Sequence, residues 1–297
     1  VLSAIKNSNY IPNNSARDLV RTKSDAVGLV VRGVSNPFYT DIIRAIERTI
    51  TDAGFTMVMQ QIGTCDDEVK CGAVMEREKR LQGIVFLGGR FDYTPADLAM
   101  LNVPFVCCSY SNRYGTLIEG EYSSVSIADG DTAQQAVEEL YRHGHRRIAA
   151  LISRPNDQSI SQLRYEGYVQ ALESHGIPVD PELVISTGGF SAKDAYRAVQ
   201  EKMAENVDFT ALFAIADSMA IGAMRALRDE GRAVPQDCSV IAIDGLELSA
   251  YIEPPLTTLC QPMEEMGQRS AQILLGLIHG HGAHCCEVLP TQLRQGG

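Results

Sequence analysis

Short apolar runs alternate with longer stretches in which apolar residues recur every three or four positions, and this alternation organises nearly the whole chain from residue 25 onwards. Runs of strand length lie at 26–31 (AVGLVV), 55–60 (FTMVMQ), 83–88 (GIVFLG) and 103–108 (VPFVCC). Between them DIIRAIERTITDAG, DDEVKCGAVMEREKRLQ and PADLAML have helical spacing, each ended by glycine or by a proline-bearing loop. A second series starts at 147–152 (RIAALI) and continues at 183–187, 210–215 and 239–244, with helices expected near 161–175, 191–205 and 217–231. Apolar strands that are continuous rather than alternating, and that are separated by helices, predict parallel βαβ units with both sheet faces covered.

The expected fold is therefore α/β, with two Rossmann-like lobes built on parallel sheets. A late helix, Pro262–Gly280, and a last strand near Val288–Leu293 follow the second series, and are expected to carry the chain back to the first lobe and out again. Such crossover segments make a hinged clamshell. The expected partition is 1–24 as a separate N-terminal segment, 25–143 plus 263–286 as the N-terminal lobe, and 144–262 plus 287–297 as the C-terminal lobe.

Composition narrows the class. A length of 297 residues suits about two domains, and 45% apolar with 21% charged residues is ordinary for a globular protein. No run of about 18 apolar residues and no charged-then-apolar leader occurs, so no membrane partner is expected. Cys107, Cys108, Cys238 and Cys260 sit in or beside apolar runs, where thiols act as small hydrophobes, which points to a reducing cytoplasm rather than a disulfide framework.

Catalytic signals are missing: there is no GxSxG elbow, HExxH helix or GxxxxGK[ST] loop, so an enzyme is not expected. Gly88-Gly89 and Gly188-Gly189 follow strands but form no GxGxxG fingerprint, and no cofactor is expected. His279, His281, His284, Cys285 and Cys286 carry soft-metal donors, yet they lie irregularly spaced in a glycine-rich stretch, and no metal site is expected.

In open α/β sheets ligands bind beyond the carboxyl ends of the strands. Those loops hold Ser35-Asn36-Pro37-Phe38-Tyr39, then Ser153 to Gln158 with Arg164-Tyr165-Glu166-Gly167-Tyr168 on the following helix, then Phe190, Asp217 and Asp244. A guanidinium fork and two carboxylates flanked by aromatic rings suit a neutral polyol, whose hydroxyls both donate and accept while a ring stacks on its apolar face.

The N-terminal segment has a different character. Tyr10 to Arg21 reads YIPNNSARDLVR, with Pro12, a helix-capping Asn13 and a helical run through Ala16, Arg17 and Leu19 too short to be stable alone. Lys6, Arg17, Arg21 and Lys23 against Asp18 give residues 1–24 a charge of +3 in a chain whose total is −11, so this end is the one suited to phosphate.

Tyr10-Ile11-Pro12-Asn13, Ala16 and Leu19, followed by Asp25-Ala26-Val27-Gly28-Leu29-Val30-Val31, resemble the hinge and first core strand of the LacI/GalR family of bacterial transcriptional repressors. Val1 to Ser8 is similar to the end of that family's third headpiece helix, which implies a helix-turn-helix preceding Val1. The resemblance implies a periplasmic-binding-protein-like clamshell and a homodimer. It also implies a small sugar-like effector between the lobes that controls hinge ordering and binding to operator DNA.

On the same ground RYEGY is similar to the family's R-x-x-G-[FYW] motif, so Arg164 is expected to contact effector, and Asp244 of IDG inherits the family's strand-end carboxylate role. Phe38, Tyr39 and Phe190 fall where the family places stacking aromatics, Asp217 lies in a related strand-end motif, and Gln261 is at an inter-lobe position. Asp129 or Asp131 of SIADGDTA matches a loop carboxylate, with Asp131 in the expected set and Asp129 the alternative. The hinge set is Tyr10, Asn13, Ala16, Arg17 and Leu19, with Leu19 as a wedge in the DNA minor groove. One departure is Ala216, where sugar-responsive members often carry Asn. The alternative reading is a periplasmic-type solute-binding protein, which uses the same clamshell without DNA.

Overall fold

The structure, a computed structural model, describes residues 24–33, 36–63 and 66–297. The expectations for Tyr10, Asn13, Ala16, Arg17 and Leu19 lie outside the described residues.

The first lobe contains β1 (Ala26–Arg32), α1 (Tyr39–Asp52), β2 (Thr56–Ile62), α2 (Glu68–Lys79), β3 (Gly83–Leu87), α3 (Pro95–Leu98), β4 (Phe105–Cys108) and β5 (Ser124–Ile127). The chain then runs through α4 (Asp129–Arg142), β6 (Ile148–Ile152), α5 (Ile160–Ser174), β7 (Val184–Ser186), α6 (Ala192–Ala204), β8 (Ala211–Ala214), α7 (Asp217–Asp229), β9 (Ser239–Asp244) and β10 (Thr257–Cys260). It ends with α8 (Met263–Ile278), β11 (Cys286–Leu289) and β12 (Gln292–Arg294).

Two sheets result, ordered β11-β5-β4-β3-β1-β2 and β12-β10-β9-β8-β6-β7, parallel throughout except for the β10–β12 pair. This is the α/β class with two parallel-sheet lobes that the apolar pattern predicts. In β1 the alternation survives inside a continuous apolar run: Val27, Leu29 and Val31 join one buried cluster and Val30 the other, so the strand is packed on both faces. In α1 the helical spacing does the same work, with Ile42, Ala45, Ile46 and Ile50 buried along one stripe.

The lobe boundaries differ from the expected ones. Helix α4 packs on α5 and on β8, β9 and β10, so it belongs to the second lobe, and the first crossing falls at Ala128 rather than after residue 143. The unforeseen strand β5, only four residues with two serines, completes the first sheet just before that crossing. The expected last strand at 288–293 is two strands in different sheets, because Pro290 lies between them and cannot donate to a ladder. Residues 286–289 therefore sit in the first lobe and 292–294 in the second, while the crossing before α8 lies where the sequence places it. Three crossings side by side make the hinge.

Candidate functional site

Local packing decides where the site forms. Gly167 lies on α5 facing α4, and a methyl there would collide with the Gly130 carbonyl oxygen, so only glycine lets the two helices approach this closely. That approach sets Arg164, one turn earlier on α5, against Asp129 at the start of α4. Arg164 is 2% exposed; its Nε donates to Asp129 Oδ1 at 2.9 Å, and its Nη1 donates to the Ile215 carbonyl and reaches Asp244 Oδ1 at 3.4 Å.

Asp244 ends β9 with φ +144°, a region that residues bearing a Cβ rarely adopt and where strain marks function. The side chain of Gln261 donates to Asp244 Oδ1 at 2.9 Å while its backbone N–H donates to the Asp244 carbonyl at 2.9 Å. Asp244 Oδ2 is buried and has no hydrogen-bond partner among the described residues. Burial pushes the Asp244 carboxyl up to about 7, with the Asp217 charge adding to the shift and the Arg164 charge and Gln261 amide opposing it. Arg164 is also buried, but the carboxylates of Asp129 and Asp244 hold its guanidinium more firmly protonated than usual.

Tyr39 faces this group from the other lobe. Its hydroxyl lies against the Gly88 backbone at the end of β3, since a methyl on Gly88 would meet the oxygen at 2.5 Å. Burial pushes the phenol up to about 12, with the Asp244 charge adding to the shift and the Arg164 charge opposing it. Burial raises the Asp129 carboxyl too, with the Arg164 charge and hydrogen bond opposing the shift, so the group comprises a guanidinium, two carboxyls raised by burial, an amide and a phenolic hydroxyl.

The other expected residues differ in their settings. Asp131 is exposed on α4 and Asp129 is the carboxylate at the site: two residues apart on a helix are about 200° apart around the axis, so only one of them can face Arg164. Asp217 is fully buried, but its oxygens are committed to the Leu246 N–H at 2.8 Å and to the Ser249 and Thr258 hydroxyls, bracing the loop behind Asp244 instead of the cleft. Phe38 is buried against the apolar core, its ring centroid 5.6 Å from that of Tyr39. Phe190 is half-buried at the end of the loop after β7, its carbonyl held by the Ser218 hydroxyl at 2.8 Å. Ala216 is buried and caps α7 without a side-chain hydrogen bond, so no amide stands there. The Ile215 carbonyl, which orients Arg164, carries no side-chain signal that a sequence could show.

Among the described residues no helix is long and apolar enough to cross a membrane, and no three His, Cys, Asp or Glu side chains are placed to hold a metal ion.

Two parallel-sheet α/β lobes joined by three crossings, with a buried cluster of charged and polar side chains at their strand ends, define a clamshell core. Residues 137–297 match the family described as periplasmic binding protein-like domain. Over 297 residues the chain is 38% identical to the HTH-type transcriptional regulator MalR of Clostridium butyricum, covering 99% of this chain and 87% of that protein. Among solved structures it is similar to the transcriptional regulator CelR–cellobiose complex, with TM-score 0.80, 30% identity and coverage of 99% of this chain and 88% of that one. It is similar too to the Lac repressor dimer bound to operator and the anti-inducer ONPF, with TM-score 0.81, 26% identity and coverage of 97% and 98%. The chain belongs to the LacI/GalR family of bacterial transcriptional regulators. It is a regulator's core and not an enzyme, and this kinship favours regulation over solute transport.

Proposed function

We propose that this chain is the effector-responsive core of a cytoplasmic repressor, and that a small sugar or sugar derivative binds between its lobes. Arg164, Asp129, Asp244 and Gln261 hold the hydroxyls from the second lobe, Tyr39 closes from the first, and Phe190 offers a ring at the edge. The observation that carries this reading is the unpartnered, buried Oδ2 of Asp244, an acceptor held in a strained backbone conformation beside a guanidinium. Buried polar atoms in folded proteins are nearly always paired, so a missing partner points to a ligand or water. The CelR relative's bound cellobiose supports a sugar as that ligand.

The change in lobe angle is transmitted, in a two-fold homodimer, to the N-terminal segments. There Tyr10, Asn13, Ala16, Arg17 and Leu19 meet operator DNA, with Leu19 as the wedge. Similarity to a Lac repressor dimer supports the homodimer, as do Leu248 and Tyr251, 62% and 78% exposed on the second lobe.

Thermal denaturation with a panel of mono- and disaccharides tests the reading. A ligand at a hundred times its Kd stabilises by about 2.7 kcal/mol, and both Gln261→Ala and Asp244→Asn are expected to lose most of that gain. A sugar that stabilises both variants as fully as the parent refutes this placement of the site.

A further inference from the structure

One residue of the RYEGY motif points away from Arg164 and toward the other lobe. The carboxylate of Glu166, on α5 of the second lobe, accepts a hydrogen bond at 3.0 Å from the hydroxyl of Tyr114, in the first-lobe loop between β4 and β5. Both ends are anchored. The Tyr114 N–H donates to the Phe91 carbonyl at 3.0 Å and the Thr116 N–H to the Tyr93 carbonyl at 2.9 Å, which pins the loop along the segment after β3. Glu166 also accepts from the Gln162 amide at 3.2 Å, and the Gln162 side-chain oxygen accepts from the Asn156 N–H at 2.9 Å. The hydrogen bond has an apolar base: Ile160 and Leu163 of α5 pack on the first-lobe cluster that includes Phe91, Tyr93, Tyr110, Tyr114 and Leu117. This contact joins the lobes across the cleft, whereas the three crossings join them at the hinge.

We infer that Tyr114 and Glu166 form a clasp that holds the cleft closed and brings Arg164 to the wall carrying Tyr39. Both residues are positioning residues, acting on the lobe angle and not on the ligand. Because the binding groups are divided between lobes, effector binds the closed arrangement, and its apparent affinity scales with the fraction of molecules that are closed. Tyr114→Phe keeps the ring in its cluster and removes only the donor. Glu166→Gln keeps an acceptor oxygen, while Glu166→Ala removes it.

Ligand-free small-angle scattering of the parent and the three variants is the first arm, and it requires no knowledge of the effector. Tyr114→Phe and Glu166→Ala are expected to increase the radius of gyration, with Glu166→Gln close to the parent and all melting temperatures near the parent value. Titration with the sugar that stabilises the parent is the second arm, and it rests on the proposed function. Affinity is expected to fall about tenfold in Tyr114→Phe, equivalent to about 1.4 kcal/mol, with Tyr114→Phe/Glu166→Ala no weaker than the worse single variant. Unchanged radii overturn the clasp whether or not a sugar is found, as do additive affinity losses. Larger radii with no sugar binding even to the parent leave the clasp standing and remove the sugar reading.

Discussion

Asp244→Asn provides the sharpest test of how the cleft is charged. In the native chain Arg164 is flanked by two carboxylates in a site where the charged side chains are about 3–5% exposed. One carboxylate neutralises the guanidinium; ionising the second leaves a buried net negative charge. Burial raises the Asp244 carboxyl, ordinarily near 3.8, to about 7, the Asp217 charge adding to the shift and the Arg164 charge opposing it. Between those values Asp244 holds a proton in the folded chain that it has released in the unfolded chain, so its contribution to stability is fully present at low pH and declines as pH rises toward 7. At about 1.36 kcal/mol per pH unit, the interval from pH 5 to 7 amounts to roughly 3 kcal/mol, and the loss levels off above pH 7. Asparagine cannot ionise and keeps an acceptor for Gln261, so the variant is expected to be the more stable protein at pH 8 and little different at pH 5. Urea unfolding of both proteins from pH 5 to pH 8 measures this, since other titrating groups cancel in the difference. Parallel stability profiles would falsify the reasoning, because they mean that Asp244 is already ionised and matched in the folded state.

The two acidic residues of the α4 first turn separate by packing alone. Asp129→Ala leaves the buried Arg164 with a distant partner and is expected to cost about 3–5 kcal/mol in chemical denaturation, against at most about 0.5 kcal/mol for exposed Asp131→Ala; equal costs would mean that Arg164 does not depend on Asp129. Gly167→Ala, which forces a methyl onto the Gly130 carbonyl, is expected to lower stability by about 1–3 kcal/mol and to weaken sugar binding by parting α5 from α4, while Gly189→Ala, with nothing within 4 Å, serves as the control in the same melts. A Gly167→Ala protein as stable as that control would show that the helices can separate without penalty.

Much of this was legible in one dimension. The apolar runs at 26–31 and 239–244 became β1 and β9 because a strand buried on both faces has no polar face to hide. Arg164 and Asp244 were visible as charged residues at strand ends, the positions from which an α/β sheet presents side chains to a ligand. Strand β5 was missed because SVSI carries half its residues as serine, too short and polar for a periodicity to register. The bracing role of Asp217 leaves no local signal either, because three donors from Leu246, Ser249 and Thr258 converge on it only once the chain has folded.

By itself the sequence determined the class of the protein. Strand and helix periods, strand-end chemistry and a basic N-terminal segment are properties of consecutive residues, and each can be read without knowing what lies across the cleft. Only the tertiary structure decided which groups act together. The choice of Asp129 over Asp131, the strained backbone at Asp244 and the meeting of Tyr114 with Glu166 all depend on contacts between segments 35 to 80 residues apart or on the packing of one lobe against the other. Such contacts are set by the angle between whole elements, and no local pattern encodes that angle.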